Sequence, residues 1–188
     1  RQRQMCIRDS LLGASHNIVR RNNISDNFIG ICVGSGPAGV ILTNNTVNNN
    51  DVSNNTYGIF VVNSSYTTVE NNTANNNTGT IFVENKPPSS GILLGASDNT
   101  IIRNNTASNN YFGILLVDSG QNILSNNRAS NNTLGMFVFS ELPPDPKPYY
   151  NNSIDTSNFV NGKPVHYYFD EQDLVIDGWE TSHLTLAF

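Results

Sequence analysis

The sequence predicts an all-β solenoid, a coil of short parallel strands with about 22 residues in each turn. Two features of the chain lead to this fold class. Asparagine accounts for 32 of the 188 residues, and much of it falls in Asn-Asn pairs that recur along the chain. Between the pairs stands a glycine followed by an apolar run, as in the Gly-Ile-Leu-Leu segments at Gly91 and Gly113. Because these two markers alternate, we interpret each copy as one turn of a repeat.

The composition argues against three other classes of protein. Hydrophobic residues make up 37% of the chain and charged residues 13%, which is not the composition of a disordered segment. The formal net charge of −5 lacks the basic character needed to bind a phosphate backbone, so we expect no nucleic-acid partner. No apolar run approaches the ~20 residues of a membrane-spanning helix, so we expect no membrane span in this chain.

The apolar runs within each unit are too short for helices. Runs such as 92–94 and 100–102 are separated by Gly, Ser, Asn and Asp, which are typical of turns between strands. Neighbouring strands stack about 4.8 Å apart, so each residue lies over its counterpart in the next turn. We therefore predict about six turns between Leu11 and Asn152.

The asparagines are explained by this stacking. Asn tolerates the left-handed backbone of a tight corner, and its amide can donate to the Asn of one neighbouring turn while accepting from the other. A ladder of such side chains satisfies polar groups that a buried corner would otherwise leave unpaired. We assign the ladder to the residues that begin the Asn-Asn pairs: Asn22, Asn44, Asn71, Asn104, Asn126 and Asn151.

The repeats resemble one known family of solenoids. Leucine-rich repeats also have an Asn ladder, but they require a Leu-x-x-Leu-x-Leu frame that no unit here contains. The phrases NNTASNNYFGILL and VNGKPVHYYFDEQDLVIDG instead resemble NosD-like right-handed parallel β-helix proteins of the carbohydrate-binding and sugar-hydrolase type, as in archaeal cell-surface proteins. The likeness runs from Leu11 to the C-terminus. It implies a right-handed parallel β-helix that is secreted, displayed at the cell surface or periplasmic.

Several segments depart from the repeat. Residues 1–10 resemble the translation of an adapter used in preparing sequencing libraries, so we interpret them as an artefact. Interruptions are predicted at 48–52, 84–90 and 141–148, and proline keeps the last two out of a strand ladder. After residue 152 the period lapses, and Asn-Gly at Asn161 predicts a hairpin. We expect 153–188 to be an irregular segment leading into a further, truncated part of the β-helix.

Aromatic and acidic side chains converge at one place in the sequence, between His166 and Trp179. Aromatic rings can stack on sugars and carboxylates can accept hydrogen bonds from hydroxyl groups, so a polysaccharide or cell-surface glycan is the expected partner. Two arginines assigned to one repeat position could bind an acidic polysaccharide through bidentate hydrogen bonds. The candidate ligand-binding residues are therefore Tyr168, Trp179, Asp170, Asp173, Arg21 and Arg103.

Metal binding and catalysis have weaker support in the sequence. The best-known name of the resembled family is a periplasmic copper-binding protein, and copper requires converging His, Cys or Met ligands. Such residues are widely separated here, so we predict no metal site and no cofactor. Polysaccharide-cleaving enzymes need paired carboxylates, and Asp98 with Asp118 is the nearest approach to a pair.

Three functions therefore stay open. The first is a non-catalytic module that binds carbohydrate or acts as a spacer, and the second is a fragment of a carbohydrate-active enzyme whose site lies partly outside this chain. The third is a protein that matures a copper site.

The chain also contains nine N-x-S/T sequons, most of which follow from the Asn-Asn-Thr pattern itself.

Overall fold

A computed structural model describes residues 9–34, 41–78, 89–140 and 147–187. These residues form 18 strands and one short helix. The bounds are β1 (Asp9–Leu12), β2 (Ile18–Arg20), β3 (Ile29–Gly34), β4 (Leu42–Thr43), β5 (Thr46–Asn48), β6 (Tyr57–Val62), β7 (Ser64–Ser65), β8 (Thr68–Glu70), β9 (Ser90–Gly95), β10 (Ile101–Arg103), β11 (Phe112–Val117), β12 (Ile123–Ser125), β13 (Arg128–Ala129), β14 (Leu134–Phe139), α1 (Lys147–Tyr150), β15 (Ser153–Ile154), β16 (Phe159–Val160), β17 (Lys163–Phe169) and β18 (His183–Ala187).

The strands stack into the parallel β-helix that the sequence predicts. The widest face is a sheet of six parallel strands in the order β1-β3-β6-β9-β11-β14, which we call sheet A. A second sheet of six, sheet B, has the order β15-β12-β10-β8-β5-β2. A third, narrow face is held by single bridges that link Asn23, Asp51, Thr73, Thr106 and Arg128 in succession. Six strands in each of the two larger sheets correspond to the six predicted turns.

The length of a turn varies around the predicted period. Two turns have 22 residues, between Asn50 and Asn72 and between Asn105 and Asn127. Longer turns of 28, 33 and 31 residues begin at Asn22, Asn72 and Asn127. In each longer turn most of the added residues belong to 35–40, 79–88 or 141–146, which lie outside the described residues. Most of the two interruptions predicted at 84–90 and 141–148 therefore also lies outside the described residues.

The interruption predicted at 48–52 is wrong. Asn50 is buried and hydrogen-bonded to the Asn of the next turn, and Val52 is fully buried in the core. The register explains the difference, because Leu42 pairs with Ser64 at the 22-residue spacing of a regular turn. The extra residues of this turn therefore precede Leu42 instead of following Asn48.

The core is a column of apolar side chains inside the coil. Successive side chains of a strand point to opposite faces, so alternate residues of each sheet A strand face inward. In β3, for example, Ile31 and Val33 are fully buried and belong to the central cluster. The same two positions are filled in later turns by Ile59 and Val61, Ile92 and Leu94, and Ile114 and Leu116.

The last strands reverse direction at the end of this column. β16 and β17 pair in antiparallel fashion across Asn161 and Gly162, whose φ angles of 50° and 81° fit the tight hairpin predicted there. Val165 and Tyr167 on β17 are buried in the central cluster, so this strand extends the core beyond sheets A and B. β18 pairs with β17 in parallel, with His183 opposite Val165. We call β17 the closing strand. Before the hairpin, β15, β16 and Asn158 each pair with a counterpart one turn earlier, so repeat positions continue past residue 152, where the sequence predicted that the period lapses.

The first strand touches the segment that we interpret as an artefact. β1 begins at Asp9 and pairs with β3, with Ser10 opposite Cys32. Strand pairing uses backbone groups, so it places no demand on which side chains residues 9 and 10 carry. Residues 1–8 lie outside the described residues.

Candidate functional site

The corners of the coil carry three ladders of polar side chains, spaced five residues apart along the chain. At every corner except those of Asn152 and Asn158 a residue with positive φ comes first, and the next residue points inward to meet its counterparts in the turns above and below. The inward residues of the three ladders are Asn17, Asn45, Thr67, Thr100, Asn122 and Asn152; Asn22, Asn50, Asn72, Asn105, Asn127 and Asn158; and Asn27, Asn55, Asn77, Asn110 and Asn132.

One step of the second ladder shows how the amide is used. The Oδ1 of Asn105 accepts hydrogen bonds from the backbone N–H of Asn72 at 2.9 Å and from its Nδ2 at 3.1 Å. The Nδ2 of Asn105 donates to the carbonyl of Val69 at 2.9 Å and to Oδ1 of Asn127 at 3.0 Å. Both ends of the amide are therefore satisfied in a position that is only 1% exposed.

The ladder assigned from the sequence is wrong by one residue in most turns. Asn44, Asn71, Asn104 and Asn126 are exposed and have φ between 55° and 58°, so they form the left-handed corner and not the ladder. Asn151 is likewise exposed, and the ladder residue is Asn152. Only Asn22 is correct, because in the first turn Arg21 takes the left-handed position.

The structure brings three aromatic side chains together on the outer face of the closing strand. His166 and Tyr168 lie on the same face of β17 with ring centroids 6.4 Å apart. Trp179 packs against both, 4.6 Å from the His166 ring and 6.0 Å from the Tyr168 ring. The indole stays 40% exposed, so part of its face is open to solvent. We call these three residues the aromatic cluster.

The neighbouring Tyr167 points the other way. Its hydroxyl donates a hydrogen bond to the carbonyl of Tyr150, and burial raises the pKa of Tyr167 to about 12. The alternation of side chains along a strand separates it from His166 and Tyr168. Once a strand is predicted over 163–169, this alternation places His166 and Tyr168 on one face. It would therefore have identified His166 as a member of the candidate site.

The acidic candidates follow the closing strand in the chain and are exposed. Asp170 follows the closing strand with φ 56°, and its carboxylate forms an ion pair with Nζ of Lys147 at 2.8 Å. Asp173 also has positive φ and is exposed. Exposed carboxylates of this kind accept hydrogen bonds and do not require a metal for their stability.

The two candidate arginines do not share a repeat position, which corrects the sequence assignment. Arg103 lies on β10 opposite Glu70, which in turn pairs with Asn48 and then Arg20. Arg21 instead occupies the left-handed corner, one residue later. Arg103 is moreover held by Glu70, with Nε and Nη2 at 2.7 and 2.6 Å from Oε2. The structure therefore brings neither arginine to the aromatic cluster.

The nearest approach to a carboxylate pair is occupied by local hydrogen bonds. Oδ1 of Asp98 accepts from the backbone N–H of Gly120 at 2.7 Å, which places Asp98 over Gly120 and not over Asp118. Oδ1 of Asp118 accepts from the Ser140 hydroxyl at 2.8 Å. These two carboxylates fasten adjacent turns to each other, which is a structural role.

The side chains that could bind copper lie apart. His183 is a register partner of Val165 on the core side, and burial lowers the pKa of His183. Cys32 is buried on sheet A, and burial raises the pKa of its thiol. Met136 is buried in the central core, while His16 is exposed in the first turn. Within the described ranges no three His, Cys, Asp or Glu side chains converge, so these residues do not fit a copper site.

Comparisons with known proteins agree with the architecture. No curated protein sequence matches the chain. In the part of the chain that the structure describes, no helix has the length and apolar character needed to cross a membrane. The family described as periplasmic copper-binding protein (NosD) matches residues 4–175, which is most of the sequence. With its parallel β-helix and this match, the chain belongs to the NosD family.

Proposed function

We propose that this chain is a non-catalytic β-helix module, acting in the periplasm or at the cell surface, that binds carbohydrate at the closing strand. The observation that carries the proposal is the aromatic cluster of His166, Tyr168 and Trp179. A partly exposed indole on two other rings offers a flat, rigid apolar surface with polar edges. Such a surface suits the apolar face of a sugar ring.

The packing of the cluster supports a binding role because it fixes the indole before a ligand arrives. Trp179 lies against His166 at 4.6 Å with 30° between the ring planes, so one face of the indole is supported by protein. His166 and Tyr168 belong to a strand whose other face is buried in the core. A side chain held in this way loses little further conformational freedom on binding, which favours affinity.

We expect the carboxylates that follow the closing strand in the chain to orient the hydroxyl groups of a sugar. Asp170 and Asp173 are exposed, and each carboxylate offers two acceptor oxygens. Lys147 balances the charge of Asp170 through their ion pair, which leaves Asp170 able to accept further hydrogen bonds from hydroxyl groups. The role of Arg103 is structural in this proposal, because its guanidinium is already engaged with Glu70.

The test is binding of immobilised neutral and acidic polysaccharides by the chain and its variants. We expect Trp179→Ala and Tyr168→Ala to weaken binding about fivefold or more, because loss of a stacking ring removes roughly 1 kcal/mol or more. The matched control is Tyr66→Ala. Tyr66 is a tyrosine on a corner of the coil that is 57% exposed, and it lies outside the proposed site. Far-UV circular dichroism should be unchanged in all three variants.

Three outcomes would contradict the proposal. Binding that survives both cluster variants but is lost in Arg103→Ala would place the site on sheet B instead. Failure of the intact chain to bind any of the polysaccharides would favour a spacer. Release of shortened sugar chains during the assay would support the enzyme alternative, because a non-catalytic module leaves its ligand intact.

A further inference from the structure

The structure sorts the asparagines of the corner pairs into two chemically different groups. Most ladder asparagines are buried, whereas most residues in front of them are exposed. All nine N-x-S/T sequons begin at an asparagine outside the three ladders: Asn23, Asn44, Asn54, Asn63, Asn71, Asn76, Asn104, Asn131 and Asn151. Eight of these nine are exposed, and Asn63 is partly buried.

We infer that the exposed corner asparagines of this chain, above all Asn71 and Asn104, are acceptor sites for N-linked glycans. Both have positive φ and side chains directed to solvent, and among the described residues neither side chain makes a hydrogen bond. Each is followed by a buried ladder residue and then by a threonine, Thr73 or Thr106. This inference concerns a covalent modification and does not depend on carbohydrate binding at the closing strand.

The donor is a polyprenyl-phosphate-linked oligosaccharide, the class of activated glycan that a membrane-bound transferase presents outside the cytoplasm. The amide nitrogen of the acceptor asparagine attacks C1 of the first sugar and gives up a proton to a base of the transferase. The bond between C1 and the phosphate oxygen breaks, the new bond joins nitrogen to C1, and the polyprenyl phosphate leaves. No oxidant or reductant takes part.

The fold fixes when the transfer can occur. In a finished corner, Asn105 lies between the acceptor Asn104 and the hydroxyl of Thr106, and it is only 1% exposed. A transferase must hold all three residues of a sequon at once, so it requires this segment before the coil closes. The folded corner then accommodates the product, because the acceptor side chain is the one that faces solvent.

Stacking also limits how many sites carry a glycan in one molecule. Asn71 and Asn104 belong to the same corner in consecutive turns, since the backbone N–H of Asn71 donates to the carbonyl of Arg103. Neighbouring turns of the folded coil are about 4.8 Å apart, which leaves no room for branched glycans on both residues. A chain that receives both glycans before folding could not close this corner, so we expect folded, secreted molecules to carry a glycan on one of the two, and the same exclusion applies to Asn54 and Asn76.

The experiment is secretion of the chain from a host whose transferase uses N-x-S/T sequons, followed by peptide mapping. Enzymatic removal of glycans in ¹⁸O water converts each occupied asparagine to a mass-labelled aspartate. Thr106→Val removes the sequon and preserves Asn104, so occupancy of Asn104 should fall at least tenfold while that of Asn71 rises. Thr106→Ser retains the sequon and should behave like the natural sequence.

A flexible C-terminal tag with one sequon serves as the positive control. A glycan on the tag and on none of the nine native sequons would overturn the inference. Peptides that carry both Asn71 and Asn104 with glycans would overturn the exclusion, as would equal occupancy of Asn104 in Thr106→Val and the natural sequence. The purified, folded chain should accept no glycan from the same transferase in vitro, and modification of the folded chain would refute transfer before folding.

Discussion

The two members of an Asn-Asn pair should differ strongly in their sensitivity to the same substitution. Replacing Asn105 with glycine removes the amide from the ladder and leaves the buried backbone N–H of Asn72 without the acceptor it has at 2.9 Å. It also removes the donor to the Val69 carbonyl and the donor to Oδ1 of Asn127. An orphaned buried group costs about 1–3 kcal/mol and each of the two further lost hydrogen bonds about 1 kcal/mol, so we expect Asn105→Gly to destabilise by about 3–5 kcal/mol.

Asn104→Gly is the matched control for that change. Asn104 has a φ of 56°, a conformation that glycine adopts without steric cost, and its side chain is exposed. Both variants increase the entropy of the unfolded chain to the same extent, so the difference between them isolates the ladder. The measurement is the midpoint of chemical unfolding followed by far-UV circular dichroism. Equal midpoints for the two variants would refute the argument that the ladder stabilises the corner.

Three further predictions concern packing, pH and charge. A Cβ at Gly113 would lie 2.4 Å from the carbonyl oxygen of Gly135, so Gly113→Ala should lower the free energy of unfolding by about 1–3 kcal/mol. Gly95→Ala is the control and should be tolerated, because the atoms nearest to its Cβ would be 3.7 Å away. Thermal or chemical unfolding measures both variants. The pKa of Tyr167 is raised from 10.0 to about 12, so its contribution to stability is complete below pH 10 and is lost as the pH rises through 12. Tyr167→Phe should lack that alkaline loss in thermal melts, and an identical loss would contradict the assignment. Glu70→Gln should lower stability by less than about 1 kcal/mol, because the ion pair with Arg103 is partly exposed; a larger loss would mean that the pair is effectively buried.

Much of the fold is predictable because the same few residue types recur at each turn. The period, the number of turns and the hairpin at Asn161 follow from markers whose meaning is local, such as an apolar run after glycine or an Asn-Gly pair. The corner was harder to predict because both asparagines of a pair suit it. One tolerates the left-handed backbone and the other makes the ladder, and their order does not show in the pair alone.

A spacing in the sequence does contain the missing information. Ladder residues recur at intervals of five, as in Asn45, Asn50 and Asn55, because three corners follow one another within a turn. Aligning the chain by pairs instead placed Asn22 over Asn44, which belong to different corners. A second misalignment, by one residue at the same corner, placed Arg21 over Arg103. Alignment on the five-residue spacing would have placed Arg20 in the same row as Asn48, Glu70 and Arg103.

The location of the candidate site follows from what a β-helix requires of its repeated turns. A ladder position must receive nearly the same residue in every turn, since each amide needs a counterpart above and below. Such uniformity works against a convergent set of unlike side chains on the body of the coil. At the closing strand the constraint ends, because β17 runs antiparallel to β16 and its outer face has no copy in a preceding turn. His166, Tyr168 and Trp179 can therefore differ from everything before them, and it is there that a ligand would meet a surface found once in the described chain.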